Sequence, residues 1–141
     1  MPPQKPKTWD DLPRTGPRLR ALCFGINQYT NLAVLDNCER DANAIAERVR
    51  QLQGCHATVC TSAKLKDKAS MMKEVSAFVA GIDKAAPPRM ILISYSGHGI
   101  QDGDEVLLAP SEASKEPNKL KQDCFSHDEL FSIFYHEMHK N

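Results

Sequence analysis

The sequence shows no excess of either charge, no long apolar run and no export leader, and each absence removes a class of function. Its 18 basic residues are matched by 18 acidic ones, which argues against a nucleic-acid partner or an anionic membrane surface. No apolar run approaches the roughly 20 residues that a membrane-spanning helix needs. The opening residues, MPPQKPKTWDDLPRTGPR, are polar and proline-rich, unlike a signal peptide. The five cysteines (Cys23, Cys38, Cys55, Cys60 and Cys124) are odd in number and lack the spacing of a disulfide scaffold. Several sit in apolar segments, where cysteine behaves as a small hydrophobe. The expectation is a reducing, cytoplasmic setting without disulfides. There is no internal repeat.

What is present reads as one domain behind a tail. Residues 1–17 hold five of the nine prolines and little apolar content, as a flexible tail or linker does. From residue 18 to 141 the chain is long enough to bury a sizeable core. LRALCFGI, residues 19–26, is nearly all apolar, the pattern of a parallel strand buried on both faces. In the segment that follows, Ala42, Ile45, Ala46, Val49 and Leu52 recur at helical spacing and Gly54 offers a stop. HATVCT, residues 56–61, reads as a second strand, and residues 67–84 as a second helix burying Met71, Val75, Phe78, Val79 and Ile82.

RMILISYS, residues 89–96, is the third and most hydrophobic strand. Asp102-Gly103 marks a hairpin turn before EVLLAP. Ser126 and Glu129 form a capping box, with Phe125 and Leu130 as its staple, opening a helix that carries Leu130, Phe131, Phe134 and Met138. This order predicts an α/β fold: a three-layer, open, mostly parallel sheet flanked by helices. Because the chain stops on a helix, the sheet is expected to be incomplete at the C-terminus.

The chemistry concentrates at Ser96-Gly97-His98-Gly99. Ligands gather at the carboxyl ends of strands in open α/β sheets, where His98 falls. Histidine titrates near neutrality and suits general acid–base work. The flanking Gly97 and Gly99 permit tight turns and expose N–H groups to a substrate. A serine-hydrolase reading fails, because no glycine stands two residues before a candidate serine and Ser96 lies too close to His98. Cys124, His127, His136 and His139 offer a zinc arrangement whose spacing matches neither a zinc peptidase nor a standard finger.

YSGHG after a strand, a D-G turn, LLAP and a helix opening CFSHDEL together resemble the p20 half of caspase-like cysteine peptidases. ALCFGINQY and LDNCERDANAIAERV resemble the first strand, loop and helix of the same fold. The likeness runs from about residue 19 to 139. It implies a His–Cys dyad with His98 as general base and acid, and the Gly99 N–H in the oxyanion hole. In caspases the histidine precedes the cysteine by roughly 50 residues. Only 43 residues follow His98, so the nucleophile is expected beyond Asn141. Cys124, 26 residues after His98 and just before a capping box, does not match its place.

The resemblance also bears on specificity. Aspartate-selective caspases carry an arginine six positions before the helix-start acid that matches Asp41; Leu35 stands there in this chain. Cys38-x-x-Asp41-Ala42 looks like metacaspases and paracaspases, which cleave after Arg or Lys. It implies Asp41 as the acid of the S1 pocket, with Cys38 and Ser96 lining it. From the residues alone, Asp41 is equally a helix-start charge favourable to the dipole. The loop IQDGDE, with Asp102, Asp104 and Glu105, is shorter than a calcium-binding insertion, so no cofactor is expected and calcium dependence is disfavoured. The partners implied are Arg- or Lys-containing protein substrates and a small-subunit segment, and the likeness allows a homodimer. The competing reading is a non-catalytic caspase-fold module for interaction or regulation.

Overall fold

The computed structural model describes residues 16–140. Strand β1 (Leu19–Gly25) lies between β2 (Cys55–Thr61) and β3 (Met90–Ser96) in a three-stranded parallel sheet. That central position explains its composition, because both of its faces are covered. Ala21 and Cys23 join Ala42, Ala46 and Val49 of helix α1 (Cys38–Arg50) in a small core on one face. Leu22 and Phe24, with Ile26 just beyond the strand, join Met71, Val75, Phe78 and Val79 of α2 (Lys68–Ala80) in a larger core on the other. The two crossovers leave β1 and β2 in opposite directions across the sheet. Right-handed connections therefore place their helices on opposite faces.

A hairpin of β4 (Gly99–Asp102) and β5 (Glu105–Leu108) forms a separate antiparallel sheet and turns on Gly103, at φ +63°. Leu107 and Ala109 anchor it in the larger core, and Leu108 exchanges two backbone hydrogen bonds of 2.8 Å with Phe125. A short helix α3 (Leu120–Asp123), absent from the sequence reading, leads into α4 (His127–Met138), which packs against α2. The α4 capping box is present as expected from Ser126 and Glu129, and Phe125 and Leu130 both belong to the larger core.

Several expected boundaries and faces differ. Helix α1 ends at Arg50 with Gln51 as its cap, and Gly54 instead turns the chain into β2 at φ +72°. Leu52, beyond the helix, and Ile45, on its outer flank, are exposed although the periodicity placed them inward. Helix α2 stops at Ala80, before the expected residue 84, yet Ile82 is still buried. Strand β3 is paired on one side only among the described residues, which leaves Met90 and Leu92 at 54% and 37% exposure. On α4 the inward stripe is Leu130, Ile133 and Phe134, so Phe131 and Met138 face outward. Most of the expected tail lies outside the described residues; within it, Pro17 accepts a hydrogen bond from the Arg89 N–H at 3.1 Å. Among the described residues no helix is long and apolar enough to cross a membrane.

Candidate active site

His98 follows β3 by two residues and precedes β4, so it stands at the carboxyl end of the sheet. Its Nε2 lies 2.7 Å from the carbonyl oxygen of Ala33, in the loop between β1 and α1. A carbonyl can only accept, so in the neutral ring Nε2 carries the proton and Nδ1 presents a free lone pair. The Tyr29 ring stands edge-on to the imidazole, with centroids 4.6 Å apart.

The loop that supplies Ala33 is fixed by side chains. Ser62 Oγ accepts from the Asn27 and Gln28 N–H groups at 3.0 and 3.1 Å and donates to Glu39 Oε1 at 2.5 Å. Asn27 Oδ1 in turn accepts from the Glu39 N–H at 3.0 Å, inside the first turn of α1. From the other side, Ser111 Oγ donates to the Gln28 carbonyl at 2.6 Å. These bonds join loop, helix start and the end of β2 into one polar cluster. Glu39 and Asp41 also place negative charge in the first helical turn, where it favours the dipole.

The ladder of the hairpin determines where the Gly99 N–H points. The Ala109 N–H donates to the His98 carbonyl at 3.0 Å, which makes 98 and 109 a hydrogen-bonded pair. Antiparallel pairs alternate, so Gly99 and Leu108 are a non-hydrogen-bonded pair. The Gly99 N–H is directed away from β5, and Leu108 spends its own groups on Phe125. Neither Gly97 nor Gly99 has a positive φ, so a left-handed backbone is not the reason for either glycine. At Gly97 the reason is space: an added Cβ would lie 2.5 and 2.6 Å from the hydroxyls of Tyr29 and Tyr95.

Ser96 and the start of α1, which carries Cys38 and Asp41, lie at this end of the sheet. Ser96 is the register partner of Gly25. The start of α1 lies against Gly25, where a Cβ would come within 2.4 Å of the Cys38 carbonyl oxygen and 2.8 Å of the Ala42 Cβ. Cys38 is half-buried, whereas Asp41 is exposed. Among the described residues the Asp41 carboxylate has no hydrogen bond or ion pair.

With this geometry in place, the sequence matches the family model for the caspase domain over residues 18–138. The chain belongs to the caspase-domain family. That family is one of cysteine peptidases. Protein GSU0716 from Geobacter sulfurreducens, a solved structure, is similar with a TM-score of 0.58 and 19% identity over 83% of this chain. At that identity the likeness establishes the fold, and this chain spans 44% of that protein's length. A comparison with curated protein sequences found no match.

Within this caspase domain the other cysteines and the metal arrangement take other roles. Cys124 is fully buried, and burial first, with Asp123 beside it, pushes its thiol up to about 11. Cys60, buried against Glu74, is pushed up to about 12, chiefly by burial. Cys124, His127, His136 and His139 do not converge: His139 stacks on Tyr135, His136 lines a groove between α2 and α4, and His127 is exposed. Among the described residues no group of three or more His, Cys, Asp or Glu side chains is placed to hold a metal ion. Asp102, Asp104 and Glu105 border an open hollow at the hairpin tip with Lys121, His127 and Asp128.

Sequence reasoning missed Ala33, Tyr29, Tyr95, Ser62 and Glu39. The Ala33 contribution is a backbone carbonyl, which any residue type supplies, so no residue signal could have revealed it. The tyrosines stand inside ALCFGINQY and YSGHG, but nothing local in those motifs joins their hydroxyls to the backbone of His98.

Proposed function

We propose that this caspase domain is the histidine-bearing part of a cysteine endopeptidase that cleaves after Arg or Lys, of paracaspase or metacaspase type. One observation carries the reading: His98 Nε2 is held on the Ala33 carbonyl at 2.7 Å, which leaves Nδ1 free, and the next residue's N–H, that of Gly99, points out of the hairpin. In that arrangement Nδ1 takes the proton of a cysteine thiol as the thiolate attacks the substrate carbonyl, then returns it to the leaving amine. The Gly99 N–H donates to the oxyanion as charge develops there. Asp41 pairs with the guanidinium or ammonium of the residue before the scissile bond, and Cys38 and Ser96 wall that pocket.

The nucleophile is contributed by a segment outside the described residues. Among those residues no cysteine sulfur hydrogen-bonds to His98. Cys23, Cys60 and Cys124 are buried, Cys55 begins β2 at the opposite end of the sheet, and Cys38, half-buried at the start of α1, is assigned to the wall of the S1 pocket. The outer edge of β3 offers the place for such a segment: a further parallel strand there would cover Met90 and Leu92 and end beside His98. This small-subunit segment is the first partner, protein substrates the second. The reaction as drawn uses no metal, and the proposed setting is the reducing cytoplasm.

Fluorogenic peptides ending in Arg, Lys or Asp test the reading on the 141-residue chain and on the longest natural product of its gene. The expected result is no cleavage by the shorter chain. The longer product should cleave Arg and Lys peptides, lose this in His98→Ala, and weaken at least about tenfold in kcat/KM in Asp41→Ala. His98-dependent cleavage by the shorter chain would overturn the external nucleophile. Preference for Asp peptides would overturn the S1 assignment, and inactivity of the longer product would favour the non-catalytic module.

A further inference from the structure

The backbone of His98 lies where the parallel sheet can no longer hold it. The last register pair between β1 and β3 is Gly25 with Ser96, two residues earlier. The His98 N–H therefore has no strand partner and donates to the Tyr29 hydroxyl at 2.9 Å. Its carbonyl accepts from the Tyr95 hydroxyl at 2.8 Å, besides the Ala109 N–H. Both backbone polar groups of the histidine are thus satisfied by phenol oxygens.

The two hydroxyls also lean on each other. They are 3.2 Å apart, and each reaches the Ala109 carbonyl, Tyr29 at 3.2 Å and Tyr95 at 2.8 Å. Each phenol has one proton to give. Tyr95 shares its proton between the His98 and Ala109 carbonyls, and Tyr29 directs its own to Ala109 or Tyr95. Tyr29 is thereby left with a lone pair turned to the His98 N–H. The space beneath Gly97 is filled by the same two oxygens, which is why any side chain there collides with them. Burial, above all, raises both phenols from their ordinary range, so they stay protonated donors well into alkali.

We propose that Tyr29 and Tyr95 are positioning residues for His98, gripping its peptide groups and so aiming its ring at the Ala33 carbonyl. Their importance to peptide cleavage rests on His98 being the general base; the grip itself does not. Tyr29 acts twice, through its hydroxyl on the backbone and its ring edge on the imidazole. Neither tyrosine touches substrate in this scheme.

The experiment uses the full 141-residue chain with 15N-labelled histidine, at a pH where the ring is neutral, and reads the tautomer of His98 from its two ring-nitrogen shifts. The wild type should show the Nε2–H form. Tyr29→Phe leaves the His98 N–H without a partner and should shift the tautomer ratio toward Nδ1–H by about tenfold, with Tyr95→Phe acting in the same direction. Val79→Ala, a core truncation in α2 away from His98, serves as the stability control and should leave the ratio unchanged. Wild-type ratios in both phenylalanine variants would overturn the proposal, as would an equal change in Val79→Ala. If Tyr29→Phe does not fold, Tyr95→Phe decides alone. Failure of both to fold would overturn the positioning role, because the hydroxyls would then serve the fold as a whole. This readout requires no peptide cleavage, so failure of the peptidase reading and failure of the tyrosine grip remain distinguishable.

Discussion

Two glycines flank His98, and the structure gives them different reasons to be there. Gly97 is enforced by contact, since a methyl group would displace two hydroxyls that are themselves bonded to backbone. Gly97→Ala should destabilise the domain by about 1–3 kcal/mol in urea unfolding, as forced overpacking does. At Gly99 a Cβ would meet only Val106, at an ordinary 3.5 Å. Gly99→Ala should therefore melt within about 0.5 kcal/mol of the wild type, the range of a surface change without a named strain. The cysteines divide in the same physical way. With an aromatic disulfide reagent under native conditions, Cys38 and Cys55 should react first, while Cys23, Cys60 and Cys124 wait for unfolding.

At the scale of elements, the helix starts carry much of the local specification. Ser126 Oγ accepts from the Glu129 N–H at 3.2 Å, and Glu129 returns a bond to the Ser126 N–H at 3.1 Å. Ser126→Ala should lower stability by about 0.5–2 kcal/mol in thermal or urea unfolding. Glu129 also pairs with Lys68 at the start of α2. Burial alone would raise its carboxyl, but the bonds from Lys68 and Ser126 together hold it below the ordinary range. A depressed acid contributes stability above its unfolded value, near pH 4.3, and loses it as the pH falls through the folded value. Glu129→Gln should therefore show a shallower loss of melting temperature than the wild type below about pH 4.3. Within the sheet, β1 amides should exchange slowest. The β3 amides that face away from β1 should exchange nearer to loop rates, because among the described residues that edge has no partner strand.

For the molecule as a whole, the order of strands and helices, the layer arrangement and the place of His98 were legible in the sequence. Each rests on a local signal: a continuous apolar run for a strand covered on both faces, helical spacing in Ala42, Ala46 and Val49, a capping box at Ser126. The errors have local causes too. Leu52 and Phe131 have the right residue type for a core, but a helix that ends early or turns a few tens of degrees presents them to solvent. Covalent neighbours carried the approach of Gly99 to His98, whereas the approach of the start of α1 to the end of β3 depends on α1 docking against Gly25. What the sequence determined by itself was the pattern of apolar periodicity and caps, because those are properties of a segment. Only the tertiary structure decided the tautomer of His98, the grip of Tyr29 and Tyr95, and the inertness of Cys124. Each of these depends on a partner far along the chain, whether the carbonyl of residue 33, a phenol oxygen of residue 29 or the core that closes over residue 124.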